Sequence, residues 1–448
     1  MRILIATGLN AGDAEYRNVG DVAMLQAAVH RLHNLWPDAS LEVLTDSAAD
    51  LAKHCPDAKA LSRAACISLV GPKAILGRLH ASVPKPVSAA MSKFQQLLDA
   101  AIPRALEWAV SRRLANYDVH LHGDFLAFTR ALRNADLLVV CGAGGFADSC
   151  QEWNFTTLGT MAAAGRRGLP VVMFGQGVGP LSDPVVLSMA RLVLPKAKLI
   201  ALRGTEGGAQ LLNSLGVKAD CVETTGDDAI ELAYQSRASQ PGDAIGLNLR
   251  IAFYAGVDPA KMQEVRSAVQ AFARRNSASL LPVPIALHGV ANDPATIRQL
   301  LSGFDDKSDG GCSLNTPALV MKQISRCRIV VTGAYHAAVF ALSEGIPAIC
   351  LANSAYYRQK FKGLRTSFGR GCIIVDLSDK AASVILAKAI EETWNSADIL
   401  RPDLLNAATR QIEKGRTAYQ RVKRMLEAID GEEQKIASHL EPDLTTTR

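Results

Sequence analysis

The chain has 448 residues, of which 48% are apolar, 21% charged and 5% aromatic, with 49 Lys and Arg against 43 Asp and Glu. This composition excludes a disordered or collagen-like protein, and the length points to two domains. The formal charge of +6 is spread along the chain, which excludes the clustered footprint of a nucleic-acid binder but leaves an anionic small molecule or membrane surface as partner.

The opening Met1-Arg-Ile-Leu-Ile-Ala-Thr7 is too short an apolar run for a signal-peptide core. No stretch reaches the roughly 18 apolar residues of a membrane span. Nine scattered cysteines without a Cys-x-x-Cys pair read as reduced thiols, not as a disulfide framework or zinc site. The expectation is a cytoplasmic protein with no metal site.

Branched apolar runs at 3–6, 41–44, 137–140, 171–174 and 199–202 predict strands, and a second set follows at 244–249, 283–286, 329–332 and 348–351. They are continuous rather than alternating, which suits parallel strands covered on both faces. Helical patterns fill the intervals, among them 21–36, 259–274 and 381–394. Asp258 reads as a cap and Pro259 as a first helical residue. Strand–helix alternation predicts an α/β protein of two Rossmann-like, doubly wound domains facing a cleft. The polar Ser236-Arg-Ala-Ser-Gln-Pro-Gly-Asp243 places the boundary. This gives domains at 1–238 and 239–398, then C-terminal helices at 399–448 with a frayed tail from 431.

Residues 71–113 break the alternation. They carry seven Lys or Arg (73, 78, 85, 93, 104, 112 and 113) against Asp99 and Glu107. The stretch reads either as a helical excursion with a solvated basic face or as an amphipathic surface resting on anionic lipid.

Ligands of doubly wound sheets bind beyond the carboxyl ends of the strands, so the segments following the strands carry the chemistry. In Asn18-Val-Gly20-Asp21 a cap precedes a helix whose N-terminus can hold an anion; the Asp21 carboxylate opposes an anion and suits capping. Cys141-Gly-Ala-Gly144-Gly145-Phe-Ala-Asp148 lets backbone approach a ligand, although its spacing matches neither a dinucleotide fingerprint nor a P-loop. Gly175-Gln176-Gly177-Val-Gly-Pro180 is a tight turn in which Gln176 can bond a ligand. Arg203 can grip phosphate or carboxylate, or make an interdomain salt bridge. His336 follows a strand as a general acid or base, or as a structural imidazole; Lys360 lies in the next such loop.

In this order the segments resemble the polysaccharide pyruvyl transferase family over roughly residues 1–375. To those above are added Leu211 with Leu215-Gly216-Val217, Asp227-Asp-Ala229, Asn248-Leu-Arg250, Ala341 with Gly345-Ile-Pro347, and Tyr357. The resemblance implies a glycosyltransferase-B-like pair of domains, acceptor on the N-terminal side and donor on the C-terminal side, with the last helices packing back on the first domain. It implies phosphoenolpyruvate as co-substrate, no cofactor, and a pyruvate ketal bridging two hydroxyls of a nucleotide- or lipid-linked saccharide acceptor. His336 then matches the general acid, and Arg203, Lys360 and Arg250 the cations for the donor. Two positions depart: Ala334 stands where many members carry Arg, and Gly204 where Asp follows the first Arg. Either Arg326, Arg328 or Arg358 covers the missing cation, or the donor differs, or the activity is lost. A nucleotide-sugar-dependent glycosyltransferase or epimerase, and a non-catalytic glycan-binding relative, are the competing readings.

Overall fold

The computed structural model describes residues 1–9, 18–64, 105–142, 144–204, 207–251, 255–288 and 291–440, with residues 66, 84, 87 and 90 besides. Most of the basic stretch at 71–113, and the tail beyond 440, lie outside the described residues.

Seven strands build the first sheet: β1 (Arg2–Ala6), β2 (Ser40–Thr45), β3 (Ala58–Ser62), β4 (Leu137–Val140), β5 (Val171–Gln176), β6 (Leu199–Leu202) and β7 (Val222–Thr224). They pair in parallel in the order β3-β2-β1-β4-β5-β6-β7. Seven more follow: β8 (Ala244–Asn248), β9 (Leu280–Pro282), β10 (Leu287–His288), β11 (Ala291–Asn292), β12 (Cys327–Thr332), β13 (Ala348–Ala352) and β14 (Cys372–Asp376). Five of these form a second parallel sheet, β14-β13-β12-β8-β9, while β10 and β11 pair with each other in antiparallel fashion.

The apolar runs are continuous because successive side chains serve two covered faces. Ile3, Ile5, Val139 and Phe174 enter one core, whereas Leu4, Leu138, Val140 and Met173 enter another. The expected fold of two parallel-sheet α/β domains is what the chain adopts.

Besides the two-residue β10 and β11, three strands of the parallel sheets escape the apolar signal. β3 and β7 lie at sheet edges and contain Lys59 and Glu223, and β14 is half-covered. The expected strand at 283–286 is a correction. The edge strand β9 ends at Pro282, Val283 N adds one bond to Leu247 O at 3.1 Å, and Pro284 has no N–H to continue it. The chain then crosses to the first domain, where Val19 N donates to Ile285 O at 2.9 Å and Asn18 bridges to Ala286.

A second correction concerns the C-terminus. One helix, Ala382–Leu440, replaces the two expected helices and most of the frayed tail. Pro402 removes one backbone bond from it, yet buried Leu400, Leu404, Ala407 and Ala408 hold that turn against the core. The helix starts on the second domain, with Leu386 and Ile390 in its core, and then runs onto the first. There the Tyr419 ring stacks on Phe174 at 3.7 Å between centroids, and its hydroxyl donates to Asp228 at 3.3 Å. Arg416 bonds Glu231, and Arg31 ties the same Glu231 at 2.8 Å to Asp228 at 2.5 Å.

Candidate functional site

Strand order reverses between β1 and β4 in the first sheet and between β8 and β12 in the second. The loops beyond these strands are where doubly wound sheets bind ligands, and here the two sets meet.

β12 ends at Thr332, whose hydroxyl accepts the Ala334 N–H at 2.9 Å and turns the chain into the helix Tyr335–Ser343. His336 therefore sits in a first helical turn, 6% exposed. Its Nε2 lies 3.5 Å from Oδ2 of Asp227, which follows β7 in the other domain. On the Nδ1 side the ring leans on Gly20, where a Cβ would stand 2.0 Å from that nitrogen. Asp227 is fully buried and accepts the Ala229 N–H at 3.0 Å. Burial pushes its carboxyl up, but His336 and Arg203 more than offset this and hold it below the usual range.

Arg203 leaves the end of β6 with Nη1 3.5 Å from the same Asp227 oxygen and its guanidinium 4.2 Å from the Tyr335 ring centroid. Burial works against its charge, but Tyr335 and Asp227 raise it overall. Lys360 comes from the helix Ala355–Phe368, which is capped by Ser354. Its Nζ bonds the Tyr356 hydroxyl and lies 3.9 Å from that ring centroid and 5.7 Å from Tyr335. The Tyr356 hydroxyl in turn donates to Gly144 O at 3.3 Å. Burial, then the positive Arg203, push Lys360 well below its ordinary value.

Glycines make room for these groups. A Cβ on Gly144 would stand 2.6 Å from both Arg203 Nη2 and Lys360 Nζ, and one on Gly177 2.9 Å from Arg203 Nε. A cavity of about 50 Å³ lies between Gly144, Gln176, Gly177, Arg203, Tyr335 and Lys360. Two cations, an imidazole backed by a carboxylate, and exposed backbone suit a small dianion and a proton transfer beside it.

Several expected residues serve elsewhere. Arg250 is held by Asp293 at 2.8 and 2.9 Å, and that carboxylate also takes N–H groups from Asn248, Ile285 and Ala286. It braces the β8 loop and does not line the cavity. The Asp148 carboxylate accepts from Ser182 at 2.7–3.0 Å and from Asp183 at 3.1 Å, fastening the turn after Pro180. Gly145 gives way to the Trp153 ring, and Tyr357 is buried against Phe361. The Gln176 amide donates to Val140 O and Phe174 O, which leaves its buried Oε1 at the cavity without a hydrogen-bond partner among the described residues.

At the first loop, Asn18 is the cap, accepting from the N–H groups of Gly20 and Asp21 at 3.1 and 3.3 Å. The expected capping job of Asp21 is thereby corrected. Its half-buried side chain has no hydrogen bond or ion pair among the described residues, and its charge bears on Arg203 and Lys360. None of the three arginines offered in place of the one absent at Ala334 reaches the site. Arg326 bonds Gln323, Arg328 bonds Trp394 O and Asp398, and Arg358 bonds Asp376.

Sequence reasoning passed over Asp227, Tyr335 and Tyr356 as site residues. Asp227 had a signal, an acid in the turn after a strand, but its partners lie 24 and 109 residues away.

The sequence model of the polysaccharide pyruvyl transferase family matches residues 18–355. A search of curated proteins finds no match. Among solved structures, a putative UDP-N-acetylglucosamine 2-epimerase from Listeria monocytogenes is similar, 12% identical over 96% of this chain and 97% of that one, with a TM-score of 0.56. Another UDP-N-acetylglucosamine 2-epimerase is 13% identical over 96% of each chain, with a TM-score of 0.51. MnaA of S. aureus, solved with UDP, is 14% identical over 94% of each chain, with a TM-score of 0.50. At such identities the likeness is one of fold.

Proposed function

The chain belongs to the polysaccharide pyruvyl transferase family, and we propose that it carries the three-carbon unit of phosphoenolpyruvate onto two hydroxyls of one sugar in a surface-polysaccharide precursor. The observation that carries this reading is the convergence of Arg203 and Lys360 on Gly144, beside the His336–Asp227 pair.

In this reading Arg203 and Lys360 take the donor's phosphate and carboxylate, as cations with little water around them do strongly. Protonated His336, oriented by Asp227, gives its proton to the donor's methylene carbon. The C=C bond becomes C–CH₃ and positive charge develops on the central carbon. One acceptor hydroxyl bonds to that carbon, and its proton passes to Asp21, the residue after Gly20. The C–O bond to phosphate then breaks as Asp21 gives that proton to the leaving phosphate, the second hydroxyl closes the ketal, and its proton returns to His336. Inorganic phosphate leaves, and the balance is donor plus diol giving ketal plus phosphate.

Phosphate release should require both phosphoenolpyruvate and a suitable saccharide. His336→Asn should lower turnover about 10²- to 10⁴-fold, as loss of a general acid does, with donor affinity retained. Asp21→Asn should do likewise. A wild-type chain that does not bind phosphoenolpyruvate would defeat the reading. Thermal protection by UDP alone would instead favour a nucleotide-sugar enzyme, a reading that rests on fold.

A further inference from the structure

The helices Ala105–Tyr117 and Val119–Asn134 form a hairpin turning at Asp118, laid over one face of the first sheet. Their inner sides supply Val110, Leu114, Phe125, Phe128 and Leu132 to the core. Their outer sides leave large apolar groups in water: Trp108 is 63% exposed, Val119 75% and Leu126 45%. Interleaved with these are exposed Arg112, Arg130 and Arg133, and the Arg112 guanidinium lies 5.3 Å from the Trp108 ring centroid.

The acids of the two helices are engaged. Glu107 pairs with Arg167 at 2.5 Å, Asp124 accepts from Ser62 at 2.9 Å, and Asp118 caps the second helix through the Leu121 N–H at 3.0 Å. The outer surface is thus apolar and cationic together. A protein partner could take the apolar groups, but three arginines and no free carboxylate on these helices favour an array of phosphates.

We propose that this hairpin docks the protein on an anionic lipid surface. Trp108, Val119 and Leu126 enter the headgroup boundary, and Arg112, Arg130 and Arg133 meet lipid phosphates. Ser62, the last residue of β3, bonds Asp124, while Arg130 lies beside Arg2 and Lys59 toward the amino ends of the strands and Glu107 pairs with Arg167 just before β5. The docking face therefore runs along the flank of the first sheet, from the carboxyl to the amino ends of its strands.

The test is co-sedimentation of the full chain with vesicles of phosphatidylcholine, with and without phosphatidylglycerol. Binding is expected only with the anionic lipid, and high salt should reverse it. Replacing Arg112, Arg130 and Arg133 together by Gln should lower partitioning about 100-fold, at roughly fivefold per arginine. Trp108→Ala should weaken it as well. Both variants should keep the wild-type melting temperature and phosphate release with a water-soluble acceptor. Absence of vesicle binding, equal binding to neutral vesicles, or full binding by the triple variant would overturn the proposal. Failed phosphate release alongside intact vesicle binding would fault the transferase reading alone.

Discussion

Gly20 has no side chain because the imidazole of His336 stands where one would be, 2.0 Å from a Cβ at that position. Gly20→Ala must push the ring away, and a displacement of about 1 Å at a reacting group costs on the order of 10²-fold. The expected outcome is that loss in phosphate release with donor affinity unchanged, since Arg203 and Lys360 do not touch Gly20. Lys360 gives a pH signature. Burial and Arg203 depress it below its ordinary 10.5, so between the two values the folded chain binds fewer protons than the unfolded one. Stability of the free protein therefore rises with pH across that window. An anionic donor restores the charge, so binding should take up a proton and weaken as pH rises. Calorimetry in buffers of different ionisation enthalpy measures that uptake, and Lys360→Met should abolish it. The sequence pointed to Arg203 and His336 because each follows a strand, and to Lys360 through the segment after β13, which is a helix and not the expected loop. Arg250 followed a strand equally well, but Asp293 claimed it, and no local pattern tells a committed arginine from a free one.

The long C-terminal helix shows what periodicity gives and withholds. Helical patterns were visible at 381–394 and again beyond 399, but not that they join through Pro402 into one helix. Its destination was not visible, because Tyr419 reaches Phe174 and Asp228 across 245 and 191 residues. Tyr419→Ala should cost about 3–5 kcal/mol, the range for a buried aromatic truncated to Ala. Tyr419→Phe, which removes one hydrogen bond, should cost about 1 kcal/mol. Denaturant unfolding separates the two. The central strands could be read from sequence because both faces of each are covered, whereas β3 and β7 at the edges mix Lys59 and Glu223 into short runs. The segment after Pro282 looked like a strand for its apolar character and serves as a strap between domains.

At the scale of the whole molecule, the first domain supplies Gly20, Asp21, Gly144, Arg203 and Asp227, and the second supplies Tyr335, His336, Tyr356 and Lys360. The approach of Asp227 to His336, 3.5 Å apart, thus spans the two sheets. An opening of the cleft would part the imidazole from that carboxylate and Lys360 from Arg203. Under the proposed reaction the two halves would work as an interlock, with the acid key carried on one and its keeper on the other. A reactive enol phosphate held by an open molecule would then meet no armed acid and be spared wasteful hydrolysis. Phosphate release from phosphoenolpyruvate without a saccharide should therefore stay near the uncatalysed background, which a sensitive phosphate assay on the wild-type chain reads directly.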